Sequence, residues 1–260
     1  MNERYPHALT VEAALEILDV LEKAKEGLSL SEVARKLGMY KSRAHRLMRS
    51  LERKGIATRV GQNGKFFLGA KLIALGRAAH LQLNILSHAQ PVMERLAQEA
   101  KATVVLRILD RDELLAISIV ESPEVLKVSY PVGSRSPFYY GACGKLLSAY
   151  LLERQLEDLL RRVRLRRLAP KTIIDPEEFR RHLPLIRRRG YAFSDEEGIS
   201  GVRAVAAPVM DPQGQTIAAL AVGLPKHQLP LGDVTKLVKQ TKKAAEKISS
   251  ALRNLSHESE

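Results

Sequence analysis

Residues 28–53 constrain this chain more than any other stretch, because they call for two short helices meeting at a tight corner. Ser29 precedes Glu32 by three residues in S-L-S-E, where a hydroxyl and a carboxylate can each satisfy an orphan backbone N–H at a helix start. Leu30, Val33, Ala34 and Leu37 follow at helical spacing, and Gly38 stands where a left-handed stop belongs. After Met39 and Tyr40 a further helix sets Ala44, Leu47, Met48 and Leu51 on one face. Its other face is Lys41, Ser42, Arg43, His45, Arg46, Arg49 and Arg53. Two helices joined by a Gly-containing turn, the second basic on its outer side, predict a helix-turn-helix whose second helix enters a DNA major groove. Arg43 matches the fork of guanine O6 and N7, Ser42 an edge or a phosphate, and Lys41, Arg46 and Arg49 the flanking phosphates. Ser29, Tyr40 and His45 complete the predicted DNA-facing set around this corner.

Upstream, Val11, Ala14, Leu15, Leu18 and Leu21 recur with acids between them, an amphipathic helix that stops near Gly27. Downstream, residues 56–60 and 65–68 flank Gly61-Gln62-Asn63-Gly64, and Asn-Gly is a strong hairpin signal. A hairpin directly after a recognition helix is a wing, and Arg59 and Lys65 point from it toward backbone or minor groove.

Charge agrees with this placement. The chain carries 42 Lys+Arg against 29 Asp+Glu, a formal +13; residues 1–80 hold 15 against 8 and residues 81–260 hold 27 against 21. The surplus is densest at the N-terminal end, where it attracts phosphate backbones. One cysteine, Cys143, excludes an intramolecular disulfide and a cysteine-rich zinc site. The first 20 residues lack the apolar core of a signal peptide, and no run approaches a membrane span, so the expected location is the cytoplasm.

The rest of the chain mixes strands and helices without regular alternation, which predicts an α+β class. Residues 70–100 read as helical, with Leu72, Leu75, Ala79, Leu83 and Leu86 near one stripe and Pro91 as an interruption. Strands are expected at 103–109 and 114–121, and again at 201–210 and 216–223, each pair around a polar turn. Helices are expected at 142–162 and 176–189, and in a last segment carrying Val234, Leu237, Ala244, Ile248, Leu252 and Leu255. The Arg-rich runs 161–167 and 187–189 read as solvated faces. Gly141–Lys145 superficially resembles a phosphate-binding loop, but Tyr139 stands where its first Gly belongs and Leu146 follows the Lys. Neither Cys143 nor any of the seven histidines has a partner at catalytic spacing, and no ligand spacing nominates a metal. The helix start near 141–144 instead favours an anion such as a carboxylate. A DNA-binding regulator, an enzyme of organic-acid metabolism and a ligand-independent architectural DNA-binding protein all remain open on these grounds.

The run Leu28–Gly38, Lys41-Ser42, His45-Arg46-Leu47, Leu51–Gly55 and Phe67-Leu68-Gly69 resembles the winged domain of the IclR family of bacterial transcription regulators. Ser136–Lys145 resembles the family's effector-domain segment ending in Gly-Lys. Gly190-Tyr191-Ala192, Asp195-Glu196-Glu197, Gly201-Val202-Arg203, Ala206–Val209 and Ala218–Val222 resemble its C-terminal signature. The resemblance implies a winged helix-turn-helix domain over 1–70, a linker helix over 71–88 and a GAF-like α/β effector-binding and oligomerisation domain over 89–260. It implies no cofactor and a small organic acid held by Ala142, Cys143 and Gly144, by the 194–197 stretch with Asp195 and Glu197, and by Ala204, Ala221 and Gly223. Some relatives carry polar Cys or Ser at the last three positions. Ala, Ala and Gly there predict a roomier, less polar pocket suited to an aromatic or longer-chain acid. A single winged module makes few base contacts, so a homodimer or tetramer on a palindromic operator is expected.

Overall fold

Ser29 caps its helix in both directions: its Oγ accepts from the Glu32 amide at 3.3 Å, and its own amide donates to Glu32 Oε2 at 2.8 Å. These contacts hold the Glu32 carboxyl below its ordinary value. The computed structural model describes residues 8–61, 64–82 and 84–257, and divides the chain into two compact units between Gln82 and Leu83.

The first unit contains α1 (Leu9–Glu22), α2 (Leu30–Lys36), α3 (Lys41–Arg53), β1 (Ala57–Val60), β2 (Lys65–Leu68) and α4 (Lys71–Gln82). The α2–α3 corner turns at Gly38, whose φ of 59° is a conformation that L side chains resist. The two strands pair antiparallel, and Leu28 bridges to Phe66, so the hairpin is stitched to the segment before α2. The core is Ala13, Ile17, Leu21, Leu28, Val33, Leu47, Met48, Ala57 and Phe66. The stripe expected on α1 is rotated: Ala13, Ile17 and Leu21 are buried, whereas Val11 and Leu15 are 57% and 55% exposed. The reason is that apolar residues occur nearly all round this helix, so spacing alone does not select the inner face.

The stretch expected to be a linker holds α4 and the start of another helix, α5 (Asn84–Ala100), which lies wholly in the second unit. Ile85, Leu86 and Ala89 are buried in that unit's core, and the helix runs on through Pro91 rather than breaking there. There follow β3 (Thr103–Asp110), β4 (Glu113–Val120), β5 (Arg135–Pro137), α6 (Gly141–Tyr150), α7 (Glu153–Arg162), α8 (Pro176–Arg189), β6 (Ala192–Asp195), β7 (Val202–Met210), β8 (Thr216–Pro225) and α9 (Val234–His257). The six strands form one antiparallel sheet in the order β5-β4-β3-β8-β7-β6. The expected helix over 142–162 is two helices, parted where Leu151 and Leu152 turn extended.

Alternation along the central strands builds two cores. Val104, Leu106, Val205, Leu220 and Val222 face α5 and α9. Val105, Ala206, Ala219 and Ala221 face α6 and α8, together with Phe138, Leu146 and Phe179. The Arg-rich run 161–167 keeps its arginines on the surface, with Leu165 buried and Val163 half-buried against the core. No helix among the described residues is long and apolar enough to cross a membrane.

Candidate functional site

Two sites are built, one in each unit. In the first, Lys41, Ser42, Arg43, His45, Arg46 and Arg49 are exposed along α3, and Tyr40 just before it is 87% exposed. A groove between the start of α2, α3 and the hairpin is lined by Ser29, Lys41, His45, Arg49 and Arg59, with Glu52 its one acid. Arg59 is held there by stacking 5.5 Å from the Phe66 ring centroid. Lys65 stands outside this groove, 3.9 Å from Glu26. Arg43 folds back, its Nη2 donating to the Leu9 carbonyl at 3.3 Å, while remaining exposed. Positive charge on one helix face, with a groove continuing onto a hairpin, is the arrangement that neutralises phosphates on both sides of a groove.

In the second unit a cavity opens where β3, β8 and β7 pass beneath the N-terminus of α6. Five of the eight positions expected around an acid line it: Ala142, Cys143, Ala204, Ala221 and Gly223. Gly144, Asp195 and Glu197 do not. Gly144 is turned toward the preceding loop, where an added Cβ would lie 2.3 Å from the Phe138 carbonyl oxygen, so its smallness serves backbone packing. Asp195 accepts from Arg203 Nε at 2.7 Å and also pairs with Lys171; together these cations hold its carboxyl below its ordinary value. Glu197 accepts from the buried Lys145 at 2.6 Å. Of the 194–197 stretch only Ser194 reaches the wall, joined by Gly198 and Ile199 beyond it.

The wall also contains three large side chains that sequence reasoning missed: Arg107 on β3, Tyr130 from the loop before β5, and Tyr140 at the start of α6. Arg107 is 3% exposed, donates to Ser136 Oγ at 2.6 Å, and lies 5.0 and 5.3 Å from the ring centroids of Tyr130 and Tyr140. The signal for it was present, since a lone cation in the apolar run V-V-L-R-I-L falls on the same strand face as Val105. The two tyrosines come from irregular segments, where no periodicity points inward.

These side chains bring a cation and two hydroxyls to the wall and occupy part of the space expected to be open beside Ala204, Ala221 and Gly223. A Cβ added at Gly223 would sit 3.8 Å from the Tyr130 hydroxyl, so the space that residue leaves is taken from outside the sheet. The free volume is about 40 Å³, room for roughly three waters. Burial pushes both phenols up, and pushes the Cys143 thiol up to about 11 despite the nearby Arg107 charge. A thiol so protonated at neutral pH is a poor nucleophile. No side chain caps α6, so its first amides are available to an anion.

Comparison with known proteins matches each unit to the same family. Residues 10–61 match the IclR helix-turn-helix domain, and residues 78–250 match the family described as bacterial transcriptional regulator IclR C-terminal. The chain is 33% identical over 215 residues to the HTH-type transcriptional regulator BhcR of Paracoccus denitrificans, covering 83% of this chain and 77% of that protein. An IclR-type transcriptional regulator from Alicyclobacillus acidocaldarius superposes with a TM-score of 0.85 at 30% identity, covering 95% of this chain and 99% of the other. A Microbacterium hydrocarbonoxydans IclR homologue crystallised with 4-hydroxybenzoate superposes at 0.83 with 26% identity, covering 94% and 99%. A basic helix-turn-helix unit followed by an α/β unit with an anion-suited cavity, matched to that family across nearly its whole length, settles the assignment: the chain belongs to the IclR family of bacterial transcription regulators.

Proposed function

We propose that this regulator is ligand-responsive: the first unit binds a palindromic operator through α3 and its wing as a homodimer or tetramer, and the second senses a small organic acid. The observation that carries the sensing role is the cavity beneath the uncapped start of α6, in a unit separate from the basic helix face. The Microbacterium homologue's complex with 4-hydroxybenzoate supports an acid effector. Leu9, Val11 and Leu15 on α1 and Ile73 and Leu75 on α4 are apolar side chains left in water, which supports a second copy as the partner of the first unit. An acid that binds the DNA-competent arrangement less well than the incompetent one weakens DNA binding by that same factor, and the opposite preference strengthens it.

Fluorescence anisotropy of the purified protein tests this on DNA from upstream of its own gene and on a shuffled sequence, at fixed salt, with a panel of aliphatic and aromatic acids. Preference for the upstream fragment, shifted by one acid, is the expected result. Equal binding to both DNAs, indifferent to every acid, would replace this reading with that of an architectural DNA-binding protein.

A further inference from the structure

Three cations among the described residues are buried to less than a tenth exposure: Arg107 at 3%, Lys145 at 3% and Arg203 at 8%. Lys145 and Arg203 each meet a carboxylate, Glu197 at 2.6 Å and Asp195 at 2.7 Å. Arg107 meets none among the described residues; its neighbours are the neutral Ser136 hydroxyl and two tyrosine rings. Ring faces attract a guanidinium but do not neutralise it, and a desolvated charge without a counter-ion is expensive to keep. The same guanidinium lines the cavity, as do Gly141, Ala142 and Cys143 at the uncapped start of α6. Only one of its five N–H donors is committed to a side chain.

We propose, building on the effector reading above, that Arg107 is the receptor for the effector's carboxylate and that Tyr130 sets the length of acid the cavity admits. A planar fork suits a carboxylate in bidentate contact, and the uncapped α6 amides of the same cavity add donors. The acid thus supplies the counter-charge that the fold withholds from Arg107. With about 40 Å³ free and the Tyr130 phenol in the space beside Gly223, the native cavity takes acids of about two to four carbons, and a benzoate ring requires Tyr130 to leave.

Isothermal titration of the full-length protein with acetate, glyoxylate, pyruvate, butyrate and benzoate tests both parts. The native protein binds at least one of the four aliphatic acids and binds benzoate about tenfold more weakly. Arg107→Met loses roughly 30-fold or more in affinity for the aliphatic acid. Its melting temperature does not fall, because an unpaired buried charge has been removed; a drop would mark Arg107 as structural. Arg107→Lys keeps the charge without the fork and recovers part of the binding. Tyr130→Ala reverses the order, so that benzoate binds more tightly than the aliphatic acid. Undiminished aliphatic-acid binding by Arg107→Met, or an unchanged order in Tyr130→Ala, overturns this assignment while leaving the effector reading intact. Native protein that binds none of the five acids overturns both.

Discussion

Lys145 Nζ lies 2.6 Å from Glu197 Oε1 and 2.6 Å from the Phe193 carbonyl oxygen, so a single ammonium ties α6 to the end of β6. Burial pushes the Glu197 carboxyl up, and the Lys145 charge opposes that shift. Removing the cation strands a carboxylate in the protein, so Lys145→Ala is expected to cost about 3–5 kcal/mol in urea unfolding. Replacing both partners by apolar residues, Lys145→Met with Glu197→Leu, is expected to cost less than Lys145→Ala alone. Additive losses would show that the two charges do not act as a pair.

Gly144 is the second element of this packing. Its hypothetical Cβ falls 2.3 Å from the Phe138 carbonyl oxygen and 2.6 Å from the Tyr139 carbonyl carbon, and backbone does not give way as a flexible side chain does. Gly144→Ala is expected to lower stability by about 1–3 kcal/mol by overpacking. Thermal unfolding of the variant checks this, and an unchanged melting temperature would mean that α6 shifts freely on its loop.

Asp195 makes acid stability predictable. The Arg203 guanidinium, aided by Lys171, holds its carboxyl below the ordinary 3.8. For a depressed carboxyl the stabilisation is fully present above the unfolded-state value and is lost as pH falls through the lower folded-state value. Asp195→Asn is therefore expected to be less stable than the native protein by about 2–3 kcal/mol near neutrality. That is less than a fully buried pair, because Asp195 keeps 23% of its side chain in water. The two stability curves should start to approach each other near pH 3.8 and meet only once pH has fallen below the lower folded-state value; a gap that persists where the carboxyl is protonated in both states would assign the loss to packing rather than charge.

On the basic face, Arg43 and Arg49 separate by role. Arg49 lines the groove with Lys41 and His45, whereas Arg43 rests against the Leu9 carbonyl and must exchange that contact to reach a base. Arg49→Ala is expected to weaken binding to all sequences alike and to lower the salt dependence by about one ion, while Arg43→Ala costs about 1–3 kcal/mol on the operator and relaxes preference at one position. Anisotropy titrations on operator and shuffled DNA at several salt concentrations measure both. Equal losses on the two DNAs for Arg43→Ala would remove it from base reading.

Local rules made the first unit legible. Ser29 and Glu32 lie three residues apart, Gly38 is a residue that tolerates positive φ, and the apolar spacing of α2 and α3 follows one face, so chain-neighbour chemistry specified those elements. The central antiparallel hairpins were legible for the same reason, since each is a β-rich run around a polar turn. The inner face of α1 was not, because its apolar residues are not confined to one side. Three-residue β5 and four-residue β6 are too short for a period to register.

What the sequence by itself determined was the helix-turn-helix with its basic face and the central hairpins of the second unit, while the family resemblance pointed to Ala142, Cys143, Ala204, Ala221 and Gly223, which line one cavity. Only the tertiary structure decided what fills that cavity. Arg107, Tyr130 and Tyr140 arrive from a strand, a loop and a helix start, and their meeting depends on sheet order and loop path, which no local spacing encodes. The same holds for Glu197, whose carboxylate is spoken for by a lysine 52 residues away. Burial makes the outcome consequential: desolvated charges must find partners, and the fold provides them for Lys145 and Arg203 while leaving Arg107 facing open space.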